Sequence, residues 1–242
     1  MSVPPSSTIR DPPPSRWSLS IYTSQPAKLP LLDSDPSLPH SVVFIPGLTD
    51  TFGTCPYLDR LAAGVAPYGF SVVQLQLSSS LGGFGVCSLE GDAQEIARGV
   101  SWLREKRGKD KVVLMGHSTG CQDAMAYLSH PNGAAARGEK AIVDGVVLQA
   151  PVSDRESWEN EYAQESSEVG KRTRKTLRDA SRLVEEGKGS QLLPRDVPVI
   201  RRPGPDDTEQ LGNVDAVNDS PMTAYRYWSL FAKGGEDDYF ST

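Results

Sequence analysis

Residues suited to acid–base chemistry near neutral pH are scarce in this chain. Its 242 residues include three histidines, His40, His117 and His130. Cysteine is equally sparse: Cys55, Cys87 and Cys121 are odd in number and widely spaced. That argues against a disulfide framework and against a zinc motif, and suits free thiols in a reducing compartment. Basic charge is in the minority. The 25 Lys and Arg residues face 31 Asp and Glu, a formal net charge of -6, so the basic face of a nucleic-acid binder is not expected. No apolar run approaches the roughly 18–20 residues that cross a bilayer. The opening MSVPPSSTIRDPPPS has neither the basic start nor the apolar stretch of a secretory signal. A soluble cytoplasmic protein with no nucleic-acid or membrane partner is the expectation.

What is present is enough apolar material, 38% of the chain, for one substantial core. Residues 1–16 are rich in proline and serine and read as a disordered tail. Trp17 to Tyr22 alternates as a half-exposed edge strand does, and a proline-rich connection runs on to Pro39. From His40 the pattern becomes strand and helix in alternation. Strands are expected at Ser41 to Ile45, Phe70 to Leu77, Lys111 to Met115 and Ile142 to Leu148. Helices are expected at Tyr57 to Ala66, Leu89 to Lys106 with Ser88 and Asp92 near its start, and 119–128. Strands that are apolar throughout indicate an α/β fold, a mostly parallel, doubly wound sheet covered on both faces. The core is expected over residues 17–154. Residues 155–242 are charged and helix-prone, ending in an amphipathic stretch at 222–232, and read as a helical cap.

The informative segment is KVVLMGHSTGCQDAMAYL, residues 111–128. Gly116-His117-Ser118-Thr119-Gly120 fits G-x-S-x-G, a pattern that a chain of this length meets by chance roughly once in ten. Context decides: an apolar strand stands directly before it and a helix directly after, the setting of a nucleophile elbow. Such a bend displays Ser118 at its tip and requires glycine at 116 and 120, where a Cβ would collide with the neighbouring strand or helix. The helix N-terminus then offers the Thr119 N–H to a developing oxyanion. The loop Pro46-Gly47-Leu48-Thr49-Asp50 follows the first core strand, and Leu48 N–H is the candidate second donor. A plain turn supplying no donor is the other reading of that loop.

A serine hydroxyl needs a base, and the base an orienting acid. In this fold the chain order is Ser, Asp or Glu, His. His130 follows Ser118 by about twelve residues, roughly 18 Å along a helix. His117 is turned aside by the elbow, and His40 belongs at the opposite end of the sheet. Asp154 trails the strand ending at 148 and reads first as a loop cap. The triad acid and histidine are therefore not found, and the last strands of a complete fold, about two βα units, are expected to be missing from this chain. No metal-ligand spacing is visible, and serine chemistry requires no dissociable cofactor.

FIPGLTD, SSSLGGFGVCSLEGD, GHSTGCQD, LQAPVSDRE and PMTAYRYWSL…GGEDDYF together resemble the fungal intracellular siderophore esterases, α/β-hydrolases that cleave esters of fusarinine-type siderophores. The resemblance runs from about residue 40 to the last residue, loosely through 165–215. It implies an α/β-hydrolase fold, a nucleophile at Ser118, an oxyanion loop at Gly47-Leu48, and a small-molecule ester substrate such as a ferric siderophore. It also implies that the acid and histidine lie beyond the GGEDDYF-like segment. A catalytically inactive relative or a fragment that binds a ligand or partner in the old cleft is the alternative. Lys171 to Arg178 is either a contact for an anionic ligand or a solvated helix face. Tyr225, Tyr227 and Trp228 either line a pocket or pack in a core.

Overall fold

A computed structural model describes residues 16–129, 138, 141–160, 168–194 and 220–241. The tail to residue 15 and His130 lie outside the described residues, as does most of the 194–221 stretch. Among the described residues six strands form one sheet: β1 (Ser18–Thr23), β2 (Leu29–Asp33), β3 (His40–Ile45), β4 (Phe70–Leu75), β5 (Lys111–His117) and β6 (Gly145–Gln149), in the order β1-β2-β4-β3-β5-β6. β1 and β2 are antiparallel, β2 meets β4 antiparallel, and β4, β3, β5 and β6 run parallel.

Among the described residues the α-helices are α1 (Leu58–Val65), α2 (Leu89–Arg107), α3 (Gly120–Ser129), α4 (Asp154–Trp158), α5 (Glu168–Glu185) and α6 (Ala224–Phe231). Right-handed crossovers fix their sides. The chain steps one way from β3 to β4 and the other way from β4 across to β5, so α1 falls on one face and α2 and α3 on the opposite one. Strand alternation matches. Val43, Ile45, Val73, Leu75, Val112 and Leu114 meet Ile96, Val100, Leu103 and Tyr127, while Phe44, Val72 and Met115 meet Leu58 and Ala62. Each fully buried Val, Leu or Ile contributes about 1.5–3 kcal/mol by leaving water. Among the described residues no helix is long and apolar enough to cross a membrane.

β2 lies inside the segment expected to be a proline-rich connection. Four prolines between 26 and 39 hide the alternation of Leu29, Leu31 and Asp33, which all point inward, with Leu31 fully buried. Pro30 lacks a donor, but its carbonyl still accepts from Gln76 N at 3.1 Å. Asp33, at the end of the strand, pairs with the buried Lys109 ammonium at 3.5 Å.

Ser88 caps α2 by accepting from Gly91 N at 3.1 Å, and left-handed Gly108 ends the helix. Asp92 takes no part in that cap; it is buried. α4, α5 and α6 build a second apolar core from Trp158, Ala180, Leu183, Tyr227, Leu230 and Phe231, against which Leu48 of the loop after β3 packs.

Candidate active site

β3 and β5 are neighbours, with Ile45 opposite Gly116, yet the chain leaves them in opposite directions. Their carboxyl ends therefore open a crevice at the topological switch point, where open α/β sheets bind ligands. Ser118 stands there. It follows β5 directly, adopts φ 53° and is succeeded by α3 at Gly120. A left-handed conformation costs a non-glycine residue on the order of 1–3 kcal/mol and persists where surrounding structure imposes it. Here Ser118 N donates to Gln149 O at 3.0 Å, and Ser118 O accepts from Cys121 N at 3.0 Å. Among the described residues the hydroxyl has no hydrogen-bond partner.

The bend closes only because two side chains are absent. A Cβ on Gly116 would stand 2.5 Å from Gly120 O, and a Cβ on Gly120 would stand 2.4 Å from Ile45 O. Gly47 comes so near the bend that a Cβ there would lie 3.1 Å from Ser118 Cβ. Thr49, with φ 66°, turns the loop back, and Asp50 N donates to Gly47 O at 3.1 Å. Leu48 and Thr119 then line one small cavity together with Gly47, Asp50, Asp92, Asp123 and Arg226. Its volume of about 20 Å³ holds roughly one water or one oxygen-sized group. Among the described residues no acceptor is bonded to Leu48 N–H or Thr119 N–H. Two free amide donors therefore sit beside the strained serine.

Behind the cavity lies a buried ionic cluster that sequence reading did not detect. Arg226 Nη1 meets Asp237 Oδ2 at 2.5 Å, its Nε donates to Phe84 O at 3.0 Å, and Ser229 Oγ donates to the same Asp237 oxygen at 2.6 Å. Asp154 is not a loop cap: Ser153 caps α4, accepting from Glu156 N at 3.0 Å, and Asp154 is half-buried and accepts from Gln122 Nε2 at 2.7 Å. Burial, reinforced by the other carboxylates, pushes Asp92 and Asp154 up to about 7 each and raises Asp123 well above the usual carboxylate range. Arg226 acts in the other direction on all three.

Unfolded aspartates release their protons near pH 3.8, whereas Asp92 and Asp154 hold theirs in the fold to about 7. Between those limits the native state binds more protons, so stability falls as pH rises from about 4 to about 7 and levels off above. The slope should not exceed about 1.4 kcal/mol per pH unit for each group. Urea melts across this range should show the decline, and Asp92→Asn should flatten it. A wild-type curve that rises with pH would contradict this assignment.

The described histidines do not reach Ser118. His40 begins β3, at the opposite end of the sheet, where its Nδ1 accepts from Lys111 N at 3.3 Å. His117 Nδ1 lies 2.9 Å from Gln149 Oε1, and its ring packs against Phe44 and Tyr57. Of the late aromatics, Tyr227 is core, its hydroxyl accepting from Trp158 Nε1 at 3.3 Å, and Trp228 packs against that core. Tyr225 instead lines a separate cavity of about 320 Å³ with Cys87, Ser88 and Asp92. The basic run on α5 is laced by helical pairs, Lys171 with Glu168 and Lys175 with Asp179, both at 2.6 Å.

The sequence pattern of a family described as "Protein of unknown function (DUF1749)" matches residues 11–242. Fusarinine C esterase sidJ of Aspergillus fumigatus is 31% identical over 234 residues, which is 84% of this chain and 62% of that protein. The chain thus spans less than two thirds of this curated relative. Siderophore hydrolase EstB from Aspergillus fumigatus superposes with a TM-score of 0.67 at 29% identity, covering 94% of this chain and 69% of that one. An α/β-hydrolase fold protein of unknown function superposes at 0.52 with 20% identity, covering 75% and 56%. The fold is that of the α/β-hydrolases.

Proposed function

We propose, from the premise that this chain belongs to the DUF1749 family, that it is a serine esterase acting on esters of hydroxamate siderophores or similar ester natural products. One observation carries the reading: Ser118 is held in a left-handed bend beside a cavity whose lining includes Leu48 and Thr119, two residues whose amide N–H groups have no acceptor among the described residues. In the reaction Ser118 Oγ attacks the ester carbonyl carbon while its proton passes to a base. The carbonyl oxygen becomes an oxyanion held by Leu48 and Thr119 N–H, and collapse expels the alcohol with that proton. Water then attacks the acyl-enzyme by the same route and releases the acid. His117 is committed to Gln149 and His40 to the far end of the sheet, so the base is assigned to residues outside those described.

Siderophore esters enter as the substrate class because the relatives are named for them. In this reading residues 155–242 cap the site, with Arg226 of α6 reaching its floor, and the free thiols of Cys55, Cys87 and Cys121 suit the cytoplasm.

A fluorophosphonate probe tests the proposal. The folded chain should be labelled at Ser118, and Ser118→Ala should abolish labelling. Ser118→Gly should also abolish it while stabilising the fold by about 1 kcal/mol, since glycine meets φ 53° without strain. A folded chain that takes no label would instead mark a ligand-binding relative without an activated serine.

A further inference from the structure

The nucleophile chemistry leaves unused a second constellation one residue away from Ser118. Among the described residues, one group of three metal-ligating side chains has its ligand atoms all within 4.8 Å of one another: Asp50, Cys55 and His117. We propose that these residues form a binding site for a divalent ion of the zinc class, with a thiolate, an imidazole and a carboxylate as ligands and a fourth position left to water.

The donor set selects the ion. A sulfur, a nitrogen and one carboxylate oxygen match a borderline-soft ion that accepts four ligands in tetrahedral array, and they do not match calcium or magnesium, which take oxygen alone. Sequence spacing hides the set. Asp50 and Cys55 share the loop after β3, but His117 closes β5 and meets them only because β3 and β5 pair.

The ligands are also held in advance. The loop is pinned to β4 and the residue after it: Thr51 Oγ1 donates to Gln76 Oε1 at 2.6 Å, and Gly53 N donates to Gln74 Oε1 at 3.0 Å. Gln149 Oε1 accepts from the Tyr57 hydroxyl at 2.5 Å and lies 2.9 Å from His117 Nδ1. An oxygen accepting both puts the proton on Nδ1 and leaves the lone pair on Nε2. This is the outer-shell contact by which a ligating histidine is oriented.

Cys55 is buried against Leu58 and Ala62, which shields the ligand sulfur from solvent. Binding replaces the S–H bond by a metal–sulfur bond and releases that proton to solvent. Asp50 also lines the cavity beneath Leu48 and Thr119, so an occupied site would fix the loop that carries one of the two amide donors.

Cobalt(II) and zinc, each alone, provide the test on the full chain. Cobalt should produce thiolate-to-metal charge-transfer absorption at one equivalent, and zinc should displace it with release of one proton per ion. Cys55→Ser should lose the absorption, whereas Cys87→Ser and Cys121→Ser should retain it. Gln149→Ala should weaken binding by about 10- to 100-fold. Because Cys55→Ser removes a buried group, circular dichroism accompanies it, and Asp50→Asn on the half-buried loop gives a second variant expected to bind more weakly. Absence of absorption in the wild-type chain, or its persistence in Cys55→Ser, would overturn the site. These readouts are independent of Ser118 labelling, so this proposal and the esterase reading fail separately.

Discussion

Arg226→Met is expected to destabilise the fold by about 3–5 kcal/mol near neutral pH, the usual cost of removing one partner from a buried ion pair. Methionine preserves the packing of the aliphatic stem, so the loss isolates the charge and its hydrogen bonds. Arg226 is fixed by two groups from distant parts of the chain, Asp237 Oδ2 at 2.5 Å and Phe84 O at 3.0 Å. It is also the cation that offsets Asp92, Asp123 and Asp154, three carboxyls whose own burial opposes ionisation. Among the described residues Asp237 Oδ1 is already buried without a hydrogen-bond partner, so the cluster has little spare hydrogen-bonding capacity to absorb the change. The penalty should shrink as pH falls toward 5, because protonated carboxyls no longer need the counter-charge. Combining Arg226→Met with Asp237→Asn should recover part of the loss, a coupling that a double-mutant cycle measures directly. An Arg226→Met protein whose urea midpoint matched wild type at pH 8 would show that the cluster does not depend on this guanidinium.

How much of this was legible in the sequence depended on how far apart the partners lie in the chain. The elbow was readable because its requirements are local: a strand, a bend and a helix within KVVLMGHSTGCQDAMAYL, with glycines where backbone crowds backbone. The parallel core was readable because apolar runs at 41–45, 70–77 and 111–115 bury both faces. β2 was not, because prolines break the alternation of Leu29 and Leu31 while leaving their inward-facing side chains in place. The acid cluster was not, because it joins positions 92, 123, 154, 226 and 237 from four helices and a loop. Asp154 illustrates the difficulty: next to Ser153 it reads as a cap, and only the approach of Gln122 reveals it as a half-buried carboxyl held by a side chain of α3. Asp50, Cys55 and His117 were individually visible and collectively invisible for the same reason.

The largest local effect should come from a single methyl group. Gly120→Ala is expected to cost about 3 kcal/mol or more and to abolish Ser118 labelling in whatever fraction remains folded. The added Cβ would stand 2.4 Å from Ile45 O and 2.5 Å from Pro46 O. Both contacts are backbone, so no side-chain rotation relieves them, and overpacking without such relief lies at or beyond the usual 1–3 kcal/mol range. Relief requires the first turn of α3 to move away from β3. That movement withdraws Thr119 from the cavity it shares with Leu48, so stability and the oxyanion geometry fail together. Gly64→Ala supplies the contrast. It lies within α1 with nothing within 4 Å of its would-be Cβ, so alanine there should stabilise by about 0.4–1 kcal/mol through the unfolded chain. Urea denaturation of both variants separates the steric effect from the entropic one. Equal midpoints for Gly120→Ala and wild type would mean that α3 does not abut the end of β3, and the bend that displays Ser118 would lose its physical basis.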